Sequence, residues 1–124
     1  MRTVSVVLCI VFALGTLVFF EVREIKGFCS SVRNISEELQ TEIECKGDCS
    51  KNIYKLNNIW ESKKNLLYMF ANHNSFKDIE NEIFNIEIFM KRNDNAKALY
   101  HTEKLIDKID ELREISRFDL SNIL

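Results

Sequence analysis

Residues 22–45, VREIKGFCSSVRNISEELQTEIEC, decide the fold. Val22, Ile25, Phe28 with Cys29, Val32, Ile35, Leu39 and Ile43 recur at steps of three and four residues. That spacing marks one face of a helix, whereas a strand would show apolar residues at every second position. Only Gly27 lies inside this stretch as a weak point; the other glycines are Gly15 and Gly47, and proline is absent from all 124 residues. Sheets need turns, and a chain this poor in breakers cannot supply them, so the predicted class is all-α.

Upstream, residues 1–20 read MRTVSVVLCIVFALGTLVFF, with Arg2 as their one charge. From Thr3 to Phe20 the run is unbroken, and as a helix it is about 27 Å long. A hydrocarbon core is roughly 30 Å thick, so this run is predicted to cross one. Leu17, Val18, Phe19 and Phe20 stand where a signal peptidase requires small residues, which favours an uncleaved anchor over residues 1–21. Residues 3–20 would then contact membrane lipid, with Cys9 as an apolar filler. Basic residues on the two sides, Arg2 against Arg23 and Lys26, do not settle orientation by number. The short stretch ahead of the run favours a cytoplasmic N-terminus and an exported domain at the cell membrane. No glycine or proline separates Phe20 from Val22, so anchor and first bundle helix are expected to form one rod over the boundary.

Downstream, Lys46-Gly47-Asp48 is the first turn signal, with Gly47 suited to a left-handed helix stop and Asp48 or Ser50 to the next cap. A second helix is predicted over 49–71, carrying Ile53, Leu56, Trp60, Leu67 and Phe70 on one stripe. Asn72 to Ser75 is a polar break, and Ser75 to Asp78 has the form of a capping box opening a third helix over 75–92. Phe76, Ile79, Ile83, Ile86 and Met90 keep a heptad spacing along it. A fourth helix over 94–115 turns Ala98, Leu105, Ile109 and Leu112 inward. Short connections favour an antiparallel up-down four-helix bundle over residues 22–115, with residues 116–124 folding back onto it. Such a domain of about 100 residues has a small core.

The charges are numerous, mixed in sign and sum to −2, so they read as solvated helix faces; no basic stripe marks a nucleic-acid partner. Three local features bear on chemistry. Cys45 and Cys49 flank the Gly47 turn, and free thiols, a local disulfide and, more remotely, a metal site all stay open; the histidines needed for zinc, His73 and His101, are far away in sequence. His73, at the break before helix three, is either bonded to helix-end backbone or part of a pH-sensitive or metal-binding loop; His101 reads as a solvated helix face. Trp60, the single tryptophan, is either buried in the bundle or an exposed interface anchor. No nucleophile elbow, phosphate loop or metalloprotease motif occurs, and no catalytic residue, metal or cofactor is predicted.

Trp60 with Lys63 and Lys64, His73 followed by Phe76 to Glu80, Asp94 to Leu99, Leu105 to Ile109 and the closing Leu120 to Leu124 stand in a defined order. Order and spacing together resemble the bacterial family catalogued as domain of unknown function (DUF) 4363, over essentially the whole chain. The resemblance implies a short protein with one membrane segment and a small helical domain, and neither an activity nor a cofactor. It also implies a membrane or envelope protein as partner. The family pattern has an aromatic residue seven positions after the tryptophan and an acidic one beside the histidine; here stand Leu67, Asn72 and Ser75. Trp60, His73 and Asn122 are the candidate interaction or structural residues. The expected function is a membrane-anchored helical interaction or structural module facing the extracytoplasmic side. The alternative is a sensor or accessory subunit of a membrane complex that responds to ligand or pH near His73.

Overall fold

The computed structural model describes the backbone of residues 2–70 and 73–123; the side chains of 18, 21, 22, 69, 70, 73–75 and 115–123 also lie outside the description. Helices account for nearly all of it: α1 (Arg2–Glu44), α2 (Ser50–Phe70), α3 (His73–Lys91) and α4 (Asn95–Ile123). Among the described residues there is no strand. The chain is an all-α helical bundle.

Each helix packs on two neighbours, in the order α1, α2, α3, α4 and back to α1, with no diagonal contact among the described residues. Side-chain links show that adjacent helices run in opposite directions. Glu42 near the end of α1 meets Asn52 near the start of α2, whereas Glu24, midway along α1, meets Lys63 further along α2. Glu87 meets Asn57 and Glu80 meets Trp60 in the same opposed sense between α2 and α3.

The apolar stripes meet in one core. α1 contributes Ile25, Phe28, Cys29, Val32, Leu39 and Ile43; Cys49, just ahead of α2, joins Leu56, Trp60 and Leu67 of that helix. α3 adds Phe76, Ile79, Ile83 and Ile86, and α4 adds Ala98, Leu105, Ile109 and Leu112. One position of the α1 stripe differs from the sequence expectation. Ser36 is fully buried and Ile35 only partly, because four residues beyond Val32 and three before Leu39 lies position 36. Thr102, also fully buried, donates its hydroxyl to the Ala98 carbonyl at 2.7 Å, which spares it an unmet polar group.

The two turns among the described residues use the same stop. Gly47 N–H donates to Glu42 O at 2.8 Å and Lys46 N–H to Ile43 O at 3.1 Å; Asp94 and Asn93 repeat the pattern onto Phe89 and Met90. This is the Schellman arrangement, which needs one left-handed residue. Lys46 (φ 55°) and Asn93 (φ 57°) supply it, so Gly47 is not the left-handed residue that its type suggested. Asp48 Oδ1 then accepts the Ser50 N–H and Asp94 Oδ1 the Lys97 N–H, opening α2 and α4. The bond from Ser50 pulls the Asp48 carboxyl below its ordinary range.

Three expectations about the ends change. α3 begins at His73, so Ser75 lies inside the helix and not at its cap. α4 continues to Ile123 in place of stopping near Ile115, since residues 116–123 contain neither proline nor glycine. The packing of side chains in 116–124 on the bundle lies outside the described residues. Lastly, α1 is one unbroken helix of 43 residues, yet among the described residues no helix is long and apolar enough to cross a membrane. Val18, inside the apolar run of the sequence, is one of the side chains outside the description.

Leu105 is fully buried at the meeting of α4 with its neighbours. Leu105→Ala should lower unfolding free energy by about 2–5 kcal/mol, read as a fall in denaturation midpoint with unchanged slope. A loss below about 0.5 kcal/mol would mean that this position does not sit in a packed core.

Candidate functional site

The side chains that face one another most specifically lie along the seams between α2, α3 and their neighbours. Trp60 is 3% exposed on the inner stripe of α2. Its ring lies 6.0 Å from Phe28 of α1 and 6.1 Å from Tyr68 one helical face along, and Tyr68 in turn lies edge-on to Phe76 of α3 at 6.0 Å. Tilted and edge-on geometries are those that the ring quadrupole favours. The indole N–H is not wasted in this apolar setting: it donates to Glu80 Oε2 at 2.7 Å. Burial, and then the nearby Glu80 carboxylate, push the Tyr68 phenol up.

Shallow clefts follow this seam. One of about 530 Å³ is lined by Trp60, Glu61, Lys64, Glu80 and Phe84. Another of about 540 Å³, towards the α1–α2 turn, is lined by Asp48, Ser50, Tyr54 and Lys91. Asn57 and Glu87 line both and bond to each other at 3.3 Å, so the two clefts meet at that pair in the groove between α2 and α3. Tyr54 (67% exposed) and Phe84 (60% exposed) stand on its walls. Lys64 pairs with Glu61 and Lys91 with Glu87. The Glu61 hydrogen bond, more than any other effect, raises the Lys64 ammonium above its ordinary value.

A second constellation joins α3 to α4. His101 Nδ1 lies 2.6 Å from Glu82 Oε2, and their side chains are only 16% and 13% exposed. Phe89 stacks on the imidazole at 5.3 Å, and Tyr100 meets it edge-on at 5.2 Å. His101 is therefore not the solvated residue that its charged neighbours implied. The helical period held the signal: His101 is three residues after Ala98 and four before Leu105, and Glu82 stands likewise between Ile79 and Ile86. Both occupy the edge of a buried stripe, where adjacent helices bring polar groups together.

The side chains of His73 and Asn122 lie outside the described residues. Cys9, Cys29, Cys45 and Cys49 are all free, so the disulfide weighed for Cys45 and Cys49 is not formed in this structure. Cys45 is exposed, while Cys49 is buried with its thiol 3.6 Å from the Gly47 carbonyl. Burial raises the Cys49 thiol, and burial pushes Cys29 further, from 9.0 to about 11. Among the described residues no three His, Cys, Asp or Glu side chains converge to hold a metal ion.

Removing the Glu80 carboxylate strands a buried N–H. Glu80→Leu should cost about 1–3 kcal/mol and change the emission of the single tryptophan, whereas Glu80→Gln should retain most of both. Identical stability in the two variants would dismiss the bond as a structural element. Cys29 makes stability depend on pH in a defined direction. A neutral thiol favoured by the fold contributes fully below pH 9 and is lost as pH rises through about 11. Cys29→Ala should therefore flatten the decline of stability between pH 9 and 11 in denaturation curves; an unchanged slope would exclude the thiol as its source.

Searches of curated proteins and of solved structures find no match to this chain. One family model does match, over residues 19–123, and it covers the whole bundle together with the last residues of the apolar run. The chain belongs to the family described as Domain of unknown function (DUF4363).

Proposed function

We propose that the protein is a membrane-anchored, non-catalytic helical interaction module whose bundle faces the extracytoplasmic side. One observation carries the anchor: the described apolar side chains of α1 from Val4 to Phe20 are all exposed, and among the described residues the first buried one of that helix is Ile25. Phe12 is 78% exposed and Phe19 68%. A contiguous apolar surface of this kind seeks lipid or a partner, because water is a poor solvent for it. The 18 residues of sequence from 3 to 20, Val18 included, carry no charge and fit the length of a spanning helix.

Support for interaction comes from the α2–α3 groove. Exposed aromatic residues are costly to keep in water and are the common anchors of protein interfaces, and here Tyr54 and Phe84 stand on one groove. The partner is another membrane or envelope protein. Because α1 is unbroken from Arg2 to Glu44, a tilt of the anchor would be transmitted to the bundle.

A membrane-impermeant maleimide added to intact cells should label the exposed Cys45, and Cys45→Ser should abolish that signal. A photo-crosslinker at Phe84 should trap a membrane protein, while one at the exposed Glu103 should not. Labelling of Cys45 only after cell lysis would reverse the orientation. Equal crosslinking at the two positions would remove the groove from the reading.

A further inference from the structure

A third cleft, of about 320 Å³, opens between α1 and α2 at the end of the bundle that adjoins the apolar run. Its floor is apolar, made by Phe28 and Ile59, and its rim carries Arg23, Glu24, Ser62 and Lys63. Lys63 Nζ and Glu24 Oε2 lie 2.6 Å apart, so one cation of the rim is paired and Arg23 adds a second. Two cations and one carboxylate leave a single positive charge. Gly27 lines the same cleft, and a Cβ added there would meet nothing within 4 Å. The absence of a side chain keeps this wall open at a helix position where glycine is otherwise unfavourable.

We infer that this cleft binds the headgroup of an anionic phospholipid, with its phosphodiester between Arg23 and Lys63. The inference rests on the proposed anchor, which sets the depth of the site. Arg23 lies three residues beyond Phe20, about 4.5 Å further along the helix axis. A bilayer of about 40–45 Å around a hydrocarbon core of about 30 Å leaves some 5–7 Å of headgroup on each side. Arg23 falls in that layer, and the flexible Lys63 stem reaches down to it from α2. A diester phosphate carries one negative charge, which matches the single positive charge of the rim.

The test uses the full chain reconstituted into phosphatidylcholine vesicles that carry spin-labelled phosphatidylglycerol or spin-labelled phosphatidylcholine as reporter. The anionic reporter should associate about fivefold more strongly, as about one net cation near the surface provides. Arg23→Gln with Lys63→Gln leaves only the Glu24 carboxylate on the rim and should bring the ratio to one or below, and Lys63→Arg should preserve the preference. Gly27→Leu leaves every charge in place and fills the cleft, so it should also abolish the preference while the helical signal is retained. Equal association of the two reporters with an embedded wild-type chain, or a preference that survives the double variant or Gly27→Leu, would overturn the cleft and leave the anchor standing. Loss of the preference on adding millimolar inorganic phosphate, with phosphate alone raising thermal stability in phosphatidylcholine vesicles, would replace the lipid by a free anion. Failure of the chain to enter either vesicle would overturn the anchor, and the cleft assignment with it.

Discussion

The continuity of α1 is the constraint from which the other features follow. A helix without proline and with a single glycine beyond the apolar run has no point at which its hydrogen-bond ladder is obliged to stop before Lys46. Its stripe of Ile25, Phe28, Cys29, Val32, Leu39 and Ile43 therefore has a fixed bearing over more than five turns. The shorter helices α2 and α4 lie against that stripe, and α3 closes the square on the far side. The described side chains of α1 from Val4 to Phe20 are left without a bundle to cover them.

Apolar burial brings the helices together but is nearly indifferent to sliding one past another by a turn. Polar links at the edges of the stripes supply the register. Asn52 with Glu42, Trp60 with Glu80 and His101 with Glu82 each join neighbouring helices at one height, and each places a partly or fully buried donor where misalignment would leave it unmet. Arg33 and Asp110 perform the same service at a more exposed height between α1 and α4. The Asp110 carboxylate, chiefly through its hydrogen bond, also raises the Arg33 guanidinium above its ordinary value. Among the described residues two buried polar atoms, Ser36 Oγ and Glu42 Oε2, lack a protein partner, and both belong to α1.

Helical class and the inward stripes were legible because they depend on periods and on breakers, which are local properties. Phe76, Ile79, Ile83 and Ile86 could be placed on one face by counting alone, and so could Ala98, Leu105, Ile109 and Leu112. Residue-type preference was a poorer guide at the turns. Lys46 and not Gly47 adopts the left-handed conformation, because the stop is set by which carbonyls of α1 still need donors. At position 36 a serine is buried where the nearby isoleucine was the better hydrophobe, since helix geometry and not side-chain type decides which residue faces inward.

By itself the sequence determined an all-α chain, the bearing of its apolar stripes and a charge-free run from residue 3 to residue 20. Only the tertiary structure decided that His101 pairs with Glu82, that Trp60 bonds Glu80 and that Arg23, Gly27 and Lys63 line one cleft. The reason is physical. Periodicity is written within each helix, whereas these pairs join residues on different helices, and their meeting depends on how far each helix slides and rotates against the next.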